Sequence, residues 1–229
     1  MRIAARYNGP PGSANGGIAA GRLAAYVGAP VVQVTLRRPP PLGVDLRVDA
    51  SGGTARLLHG DLLVAEAVPS PDALSTDGLD AGEPVDLGTA RAAAAAYAGL
   101  VAHPFPTCYV CGPDHPDGMR VFAGPVGAGR SAAVWTPTTD DPVLVWAALD
   151  CPGGWSVDLP GRPLVLGRMA VARAGAPAVG EPHVVTGWVR GEDGRKVHTG
   201  TALRSADGTV LAVARATWLA VDPTALAGP

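Results

Sequence analysis

The chain has 229 residues, 47% of them hydrophobic and 17% charged, with a formal net charge of −2. That composition excludes a disordered chain, and 229 residues suffice to bury a sizeable core. A balance this close to neutral leaves no room for a large basic face, so no nucleic-acid partner is expected.

The opening "MRIAARYNGPPG" has no apolar stretch of the secretory kind. "NGGIAAGRLAAYVG" (15–28) carries apolar residues at helical density, with Asn15 placed as N-cap and Gly28 at the exit. Four strand-like runs follow: "VVQVTLRR", "VDLRVD", "TARLLH" and "LLVAEAV", punctuated by prolines 39–41 and by Gly52-Gly53. Short runs broken by Gly and Pro indicate an antiparallel meander.

Residues 69–88 are acidic, rich in Pro and Gly, and aperiodic, and they read as a linker. "TARAAAAAYAGLVA" (89–102) reads as a connecting helix capped by Thr89; its apolar run is too short to span a bilayer. "MRVFAG" and "RSAAVWTP" read as strands, with "GPVGAGR" (124–130) as the hairpin between them. "DDPVLVWAALD" (140–150) is expected to be a helix with Pro142 in its first turn, where a missing N–H costs nothing. Four more strand runs close the chain, "PLVLGRMAVAR", "HVVTGWVR", "KVHTGTALR" and "TVLAVARATWLAV", with Asp193-Gly194 and Asp207-Gly208 as tight turns.

Helix followed by antiparallel meander thus occurs twice. The expected units are an N-terminal half (1–68), a linker with a short helix (69–104), a C-terminal half (105–222) and a tail (223–229). The fold class is α+β, with two halves that cover each other's open faces and edges. A remaining open edge is expected to pair with a second copy of the chain, giving a homodimer.

This pattern resembles a double hotdog: two central helices, each wrapped by a curved antiparallel sheet, paired as a pseudo-dimer. Three motifs are similar to the phenylacetyl-CoA-type acyl-CoA thioesterases, single hotdogs that work as dimers. "Asn15-Gly16-Gly17" resembles the Gly-Gly turn that opens their central helix, and "VLVWAALD" ending at Asp150 resembles the later part, which carries the acid. "CYVCGPDHPDGM" resembles a "CxxCGxxNPxGL" segment found before their first long strand. In that family an acid stands nine residues after the Asn or His. Here Ala24 stands nine after Asn15, and Asp141-Pro142 stands where Asp150 would need its Gly-Gly. The resemblance therefore implies one complete site, with Asn15-Gly16-Gly17 of one half facing Asp150 of the other, and a dead second site.

The expected chemistry is thioester hydrolysis. Bare backbone at Gly16 and Gly17 on a helix start suits a thioester carbonyl, and a partly desolvated Asp150 suits a general base or nucleophile. Asn15 would orient water or the carbonyl. Arg37 and Arg38, before a proline turn, are expected to meet the phosphates of coenzyme A, and Trp146 to contact substrate. The substrate is an acyl-CoA or acyl-carrier thioester, coenzyme A enters only as part of it, and no other cofactor is expected. A non-catalytic acyl-thioester or lipid-binding protein is the alternative reading. Three cysteines suggest a reducing, cytoplasmic setting. Cys108 and Cys111 form a C-x-x-C, but no second pair exists. A structural zinc would need remote ligands such as His115 or Cys151, and the stretch reads instead as the turn where the repeat restarts.

Overall fold

The computed structural model describes residues 1–70 and 80–222. Part of the expected linker (71–79) and the expected tail (223–229) lie outside the described residues. The N-terminal half begins as its sequence dictates: Asn15 Oδ1 accepts the Ile18 N–H at 3.0 Å and caps helix α1 (Gly16–Ala24). The helix ends four residues before the expected Gly28. Turn-type bonds from Tyr26 N–H to Leu23 and from Val27 N–H to Ala24 tighten its end, and Gly28 at φ +66° then redirects the chain.

Strands β1 (Val31–Leu36), β2 (Arg47–Ser51), β3 (Thr54–His59) and β4 (Leu62–Pro69) follow. Gly52 and Gly53, both at positive φ, make the two-residue turn between β2 and β3. Helix α2 (Leu87–Ala95) starts two residues before the expected Thr89, because Asp86 is the better cap. Its Oδ1 accepts the Thr89 N–H at 2.9 Å, while the Thr89 hydroxyl donates to Oδ2. The chain leaves the helix at Ala96 and makes a short 3-10 turn, so the expected helix to 102 is divided.

The second half holds β5 (Gly124–Gly127), β6 (Arg130–Trp135), α3 (Val143–Gly154), β7 (Leu164–Arg173), β8 (His183–Asp193), β9 (Lys196–Arg204) and β10 (Val210–Ala220). "MRVFAG" is not a strand up to Gly124: Arg120 sits at φ 56°, and pairing begins only at the hairpin. The ten strands among the described residues form one antiparallel sheet in the order β2-β3-β4-β1-β7-β10-β9-β8-β6-β5. The halves join where β1 pairs with β7, Val34 opposite Met169. The core lies where this sheet meets α1 and α3, with Ile18, Leu23, Leu57, Leu149 and Leu203 fully buried.

Helix α3 runs past its expected end at Asp150, through Cys151, Pro152 and two glycines. A proline inside a helix removes a donor and crowds the preceding turn. Buried hydroxyls meet the surrounding carbonyls: Ser131 and Ser156 donate to the Pro152 oxygen at 2.7 and 2.9 Å, and Thr201 donates to the Leu149 oxygen at 2.8 Å. Thr201→Val is therefore expected to destabilise the fold by about 1 kcal/mol, read as a lower denaturant midpoint with unchanged slope.

Helices α1 and α3 run antiparallel and very close. A Cβ on Gly17 would lie 2.7 Å from the Trp146 carbonyl oxygen and 2.8 Å from both Ala147 Cα and Asp150 Cβ. A Cβ on Gly21, one turn on, would lie 3.0 Å from Trp146 Cβ and Cγ. Glycine at these two positions lets the first turn of α1 reach Asp150.

Candidate active site

The start of α1 and the later part of α3 meet on one carboxylate oxygen. Asp150 Oδ2 accepts the Gly17 N–H at 2.9 Å and the Asn15 Nδ2 amide at 2.9 Å. Asn15 uses both ends of its side chain, since its Oδ1 caps α1 through Ile18. The positive end of α1 is thereby aimed at a negative group from the other half.

Asp150 is 2% exposed, and its Oδ1 has no hydrogen-bond partner among the described residues. Burial pushes its carboxyl up to about 7; the Gly17 N–H and the Asn15 amide pull against that rise, and neighbouring Cys108 adds to it. A carboxyl in this range exchanges protons readily near neutrality.

A cavity of about 40 Å³ lies against this group, bordered by Asn15, Gly16 and Asp150 and walled by Phe105, Trp155 and Leu159. It has room for water. Outside it lies a wider groove of about 380 Å³, bordered by Arg37, Arg38 and Leu219. Pro10, Gly16, Val165 and Leu166 border both spaces, so Gly16 stands where groove and cavity adjoin. As the first residue of α1, Gly16 has no intrahelical partner for its N–H.

The structure brings Asn15, Gly16, Gly17 and Asp150 together, and it changes one role. The N–H of Gly17, expected to face a thioester, is taken by Asp150, which leaves that of Gly16. Trp146 lies elsewhere. Its ring packs against Gly21, and the residue borders a separate cavity with Ala24 and Pro142 rather than the one at Asp150. The close approach of the two helices at Gly21 claims that ring for packing. Arg37 and Arg38 do border the outer groove, but each has a partner: Arg37 pairs with Glu66, and Arg38 donates to the Leu63 carbonyl at 2.7 Å.

The pseudo-symmetric position is the cavity beside Ala24 and Pro142. Ala24 replaces the acid there, and Pro142 has no N–H to offer. Asp141 accepts the Val143 N–H at 2.9 Å and so serves its own helix.

The sequence offered Cys151 only as one possible remote partner of the C-x-x-C and did not place that pair beside Asp150. Cys151 comes from α3, and its sulfur and those of Cys108 and Cys111 all lie within 4.8 Å of one another, buried. All three border the cavity. Hydrogen bonds from the other two cysteines hold the Cys108 thiol well below the ordinary thiol range. His115 stands apart, its Nε2–H donating to the Arg6 carbonyl at 2.7 Å and its Nδ1 accepting the Asp117 N–H at 3.1 Å. The signal available in the sequence was the adjacency of Cys151 to Asp150.

No family model and no curated protein matches the chain in sequence. In three dimensions it is similar to a hot dog fold protein of unknown function from Alicyclobacillus acidocaldarius. That match has a TM-score of 0.64 at 14% identity and covers 97% of this chain and 92% of the other. It is also similar to a proposed thioesterase from Novosphingobium aromaticivorans, with a TM-score of 0.61 at 16% identity over 93% and 91%. Acyl-CoA thioesterase II TesB2 from Mycobacterium marinum matches with a TM-score of 0.51 at 12% identity over 85% and 81%. These likenesses establish the fold, and the chain is a double hotdog.

Proposed function

We propose that this double hotdog hydrolyses acyl thioesters, carried on coenzyme A or an acyl carrier, at a single site between its two halves. The observation that carries this reading is the Asp150 carboxylate. One oxygen is fixed by the Gly17 N–H and the Asn15 amide, and the other has no partner among the described residues, beside a cavity that can admit water. The solved structures of this fold that are described as thioesterases support it.

Asp150 Oδ1 takes a proton from water, and the water oxygen attacks the thioester carbonyl carbon. The negative charge that develops on the carbonyl oxygen is stabilised by the N–H of Gly16 at the positive end of α1, a donor worth about 3 kcal/mol in such a role. When the tetrahedral intermediate collapses, the carbon–sulfur bond breaks and Asp150 returns its proton to the departing thiolate. The products are a carboxylic acid and a free thiol. Asn15 keeps the carboxylate oriented throughout.

The outer groove suits the rest of the carrier, with Arg37 and Arg38 toward its phosphates. Because both arginines already have partners, the double variant Arg37→Ala/Arg38→Ala is expected to raise KM for an acyl-CoA about tenfold and leave kcat unchanged. The test of the whole reading is release of free thiol from a panel of acyl-CoAs by the purified chain. Binding of these esters without release would favour the non-catalytic alternative.

A further inference from the structure

Every cysteine in the chain converges on one point. Cys108 and Cys111 come from the C-x-x-C-Gly turn and Cys151 from α3, and their sulfurs lie within 4.8 Å of one another in a fully buried cluster. Hydrolysis as described above uses none of them.

The sulfurs are also furnished with N–H groups. The turn folds back on itself, the Gly112 N–H donating to the Cys108 carbonyl at 2.8 Å. Gly112 permits this fold, since a Cβ there would collide with the Cys108 backbone and the Pro106 carbonyl. The Asn15 amide nitrogen lies 3.9 Å from the sulfurs of both Cys108 and Cys151. His103 Nδ1 accepts the Phe105 N–H at 2.8 Å, so its proton is on Nε2, which lies 3.4 Å from the Cys111 sulfur. Each of the three sulfurs thus has an N–H donor beside it. Neutral thiols packed as apolar filler need no such ring of donors; thiolates sharing a cation do.

We propose that Cys108, Cys111 and Cys151 bind one zinc ion as three thiolates, with its fourth coordination position on the cavity side. Zinc–sulfur bonds of about 2.3 Å in a tetrahedron place sulfurs about 3.8 Å apart, so closing the cluster onto a metal needs movements of about 1 Å or less. A soft donor set of three thiolates selects zinc over magnesium or calcium. His103 is a positioning residue here, because with its proton on Nε2 it donates to Cys111 and does not ligate. His115, committed to Arg6 and Asp117, takes no part.

The proposal is independent of the hydrolase reading, and its test uses no acyl thioester. The full chain, reduced and freed of metal with a chelator, is titrated with zinc and, separately, with cobalt(II). One equivalent of each is expected to bind, the cobalt form showing the intense near-ultraviolet absorption of thiolate-to-metal charge transfer. His103→Gln is expected to weaken zinc binding about 10- to 100-fold, while His115→Ala leaves it unchanged. Cys108→Ser and Cys151→Ser are each expected to remove the charge-transfer signal of a three-thiolate site. Should those variants fail to fold, alkylation of the wild-type chain decides, with all three thiols expected to react at least about tenfold more slowly with zinc than without. A reduced chain that takes up no stoichiometric zinc or cobalt, or whose thiols react equally with and without zinc, overturns the proposal.

Discussion

Asp150→Asn is expected to lower kcat for acyl-CoA hydrolysis by about 10²- to 10⁴-fold, with little change in KM. The amide has the shape of the carboxylate and can present its oxygen to the Gly17 N–H and the Asn15 amide, so the helix pair should stay assembled. What is lost is the second oxygen, the one without a partner, which alone can take a proton from water. Because the substitution also removes a buried ionisable group, the melting temperature should not fall. Steady-state thiol release and a thermal melt on the same preparations separate the loss of chemistry from a loss of fold.

Gly17→Ala is expected to damage both stability and catalysis. The new methyl would meet backbone of Trp146 and Ala147 and the Asp150 Cβ, all rigid parts of α3 that cannot swing aside. Overpacking of this kind costs about 1–3 kcal/mol, which lowers the melting temperature by about 2–10 °C in a chain of this size. The helices must separate, which lengthens the Gly17 N–H to Asp150 contact and shifts the carboxylate. A displacement near 1 Å at a reacting group costs about 10²-fold in rate. Gly16→Ala is expected to cost stability as well: its methyl would lie 2.8 Å from both Cβ and Cδ2 of Leu166, and although Cδ2 can rotate away, Cβ is fixed by the backbone of β7.

The fold was legible in the sequence to the extent that local chemistry dictates it. Alternating runs and glycine turns located β3, β8, β9 and β10 closely, since a two-residue turn at Gly52-Gly53 or Gly194 leaves little freedom of register. The Asn15 cap was readable for the same reason. Errors came where distant residues decide. Nothing near Pro152 announces that Ser131, Ser156 and Thr201 will meet the carbonyls of α3 and carry the helix past it. Asp86 outcompeted Thr89 as cap by geometry that a propensity ranking only partly captures.

In the candidate site, the pairing of Asn15-Gly16-Gly17 with Asp150 came from the family resemblance and the nine-residue spacing, and the structure places these groups in contact. The division of labour between Gly16 and Gly17 was not legible, because only the helix crossing shows that Gly17 spends its N–H on the acid. Trp146 sits one turn before Asp150, and aromatic residues near an acid invite a substrate role. Its ring packs against Gly21, which only the helix crossing shows. The cysteines were read as turn punctuation because a C-x-x-C with no second pair looks incomplete in one dimension, and only the packing of α3 supplies Cys151.

The central claim is that one composite site, not two, lies between the halves, because only at one end of the α1–α3 pair does a carboxylate of one helix meet the start of the other, with the N–H of Gly16 left over. The most direct test is calorimetric titration of the chain with a non-hydrolysable thioether analogue of an acyl-CoA. One equivalent per chain is predicted, with its affinity reduced by Gly16→Leu, which would fill the junction between groove and cavity. Two equivalents per chain, or one whose affinity that substitution leaves untouched, would contradict it.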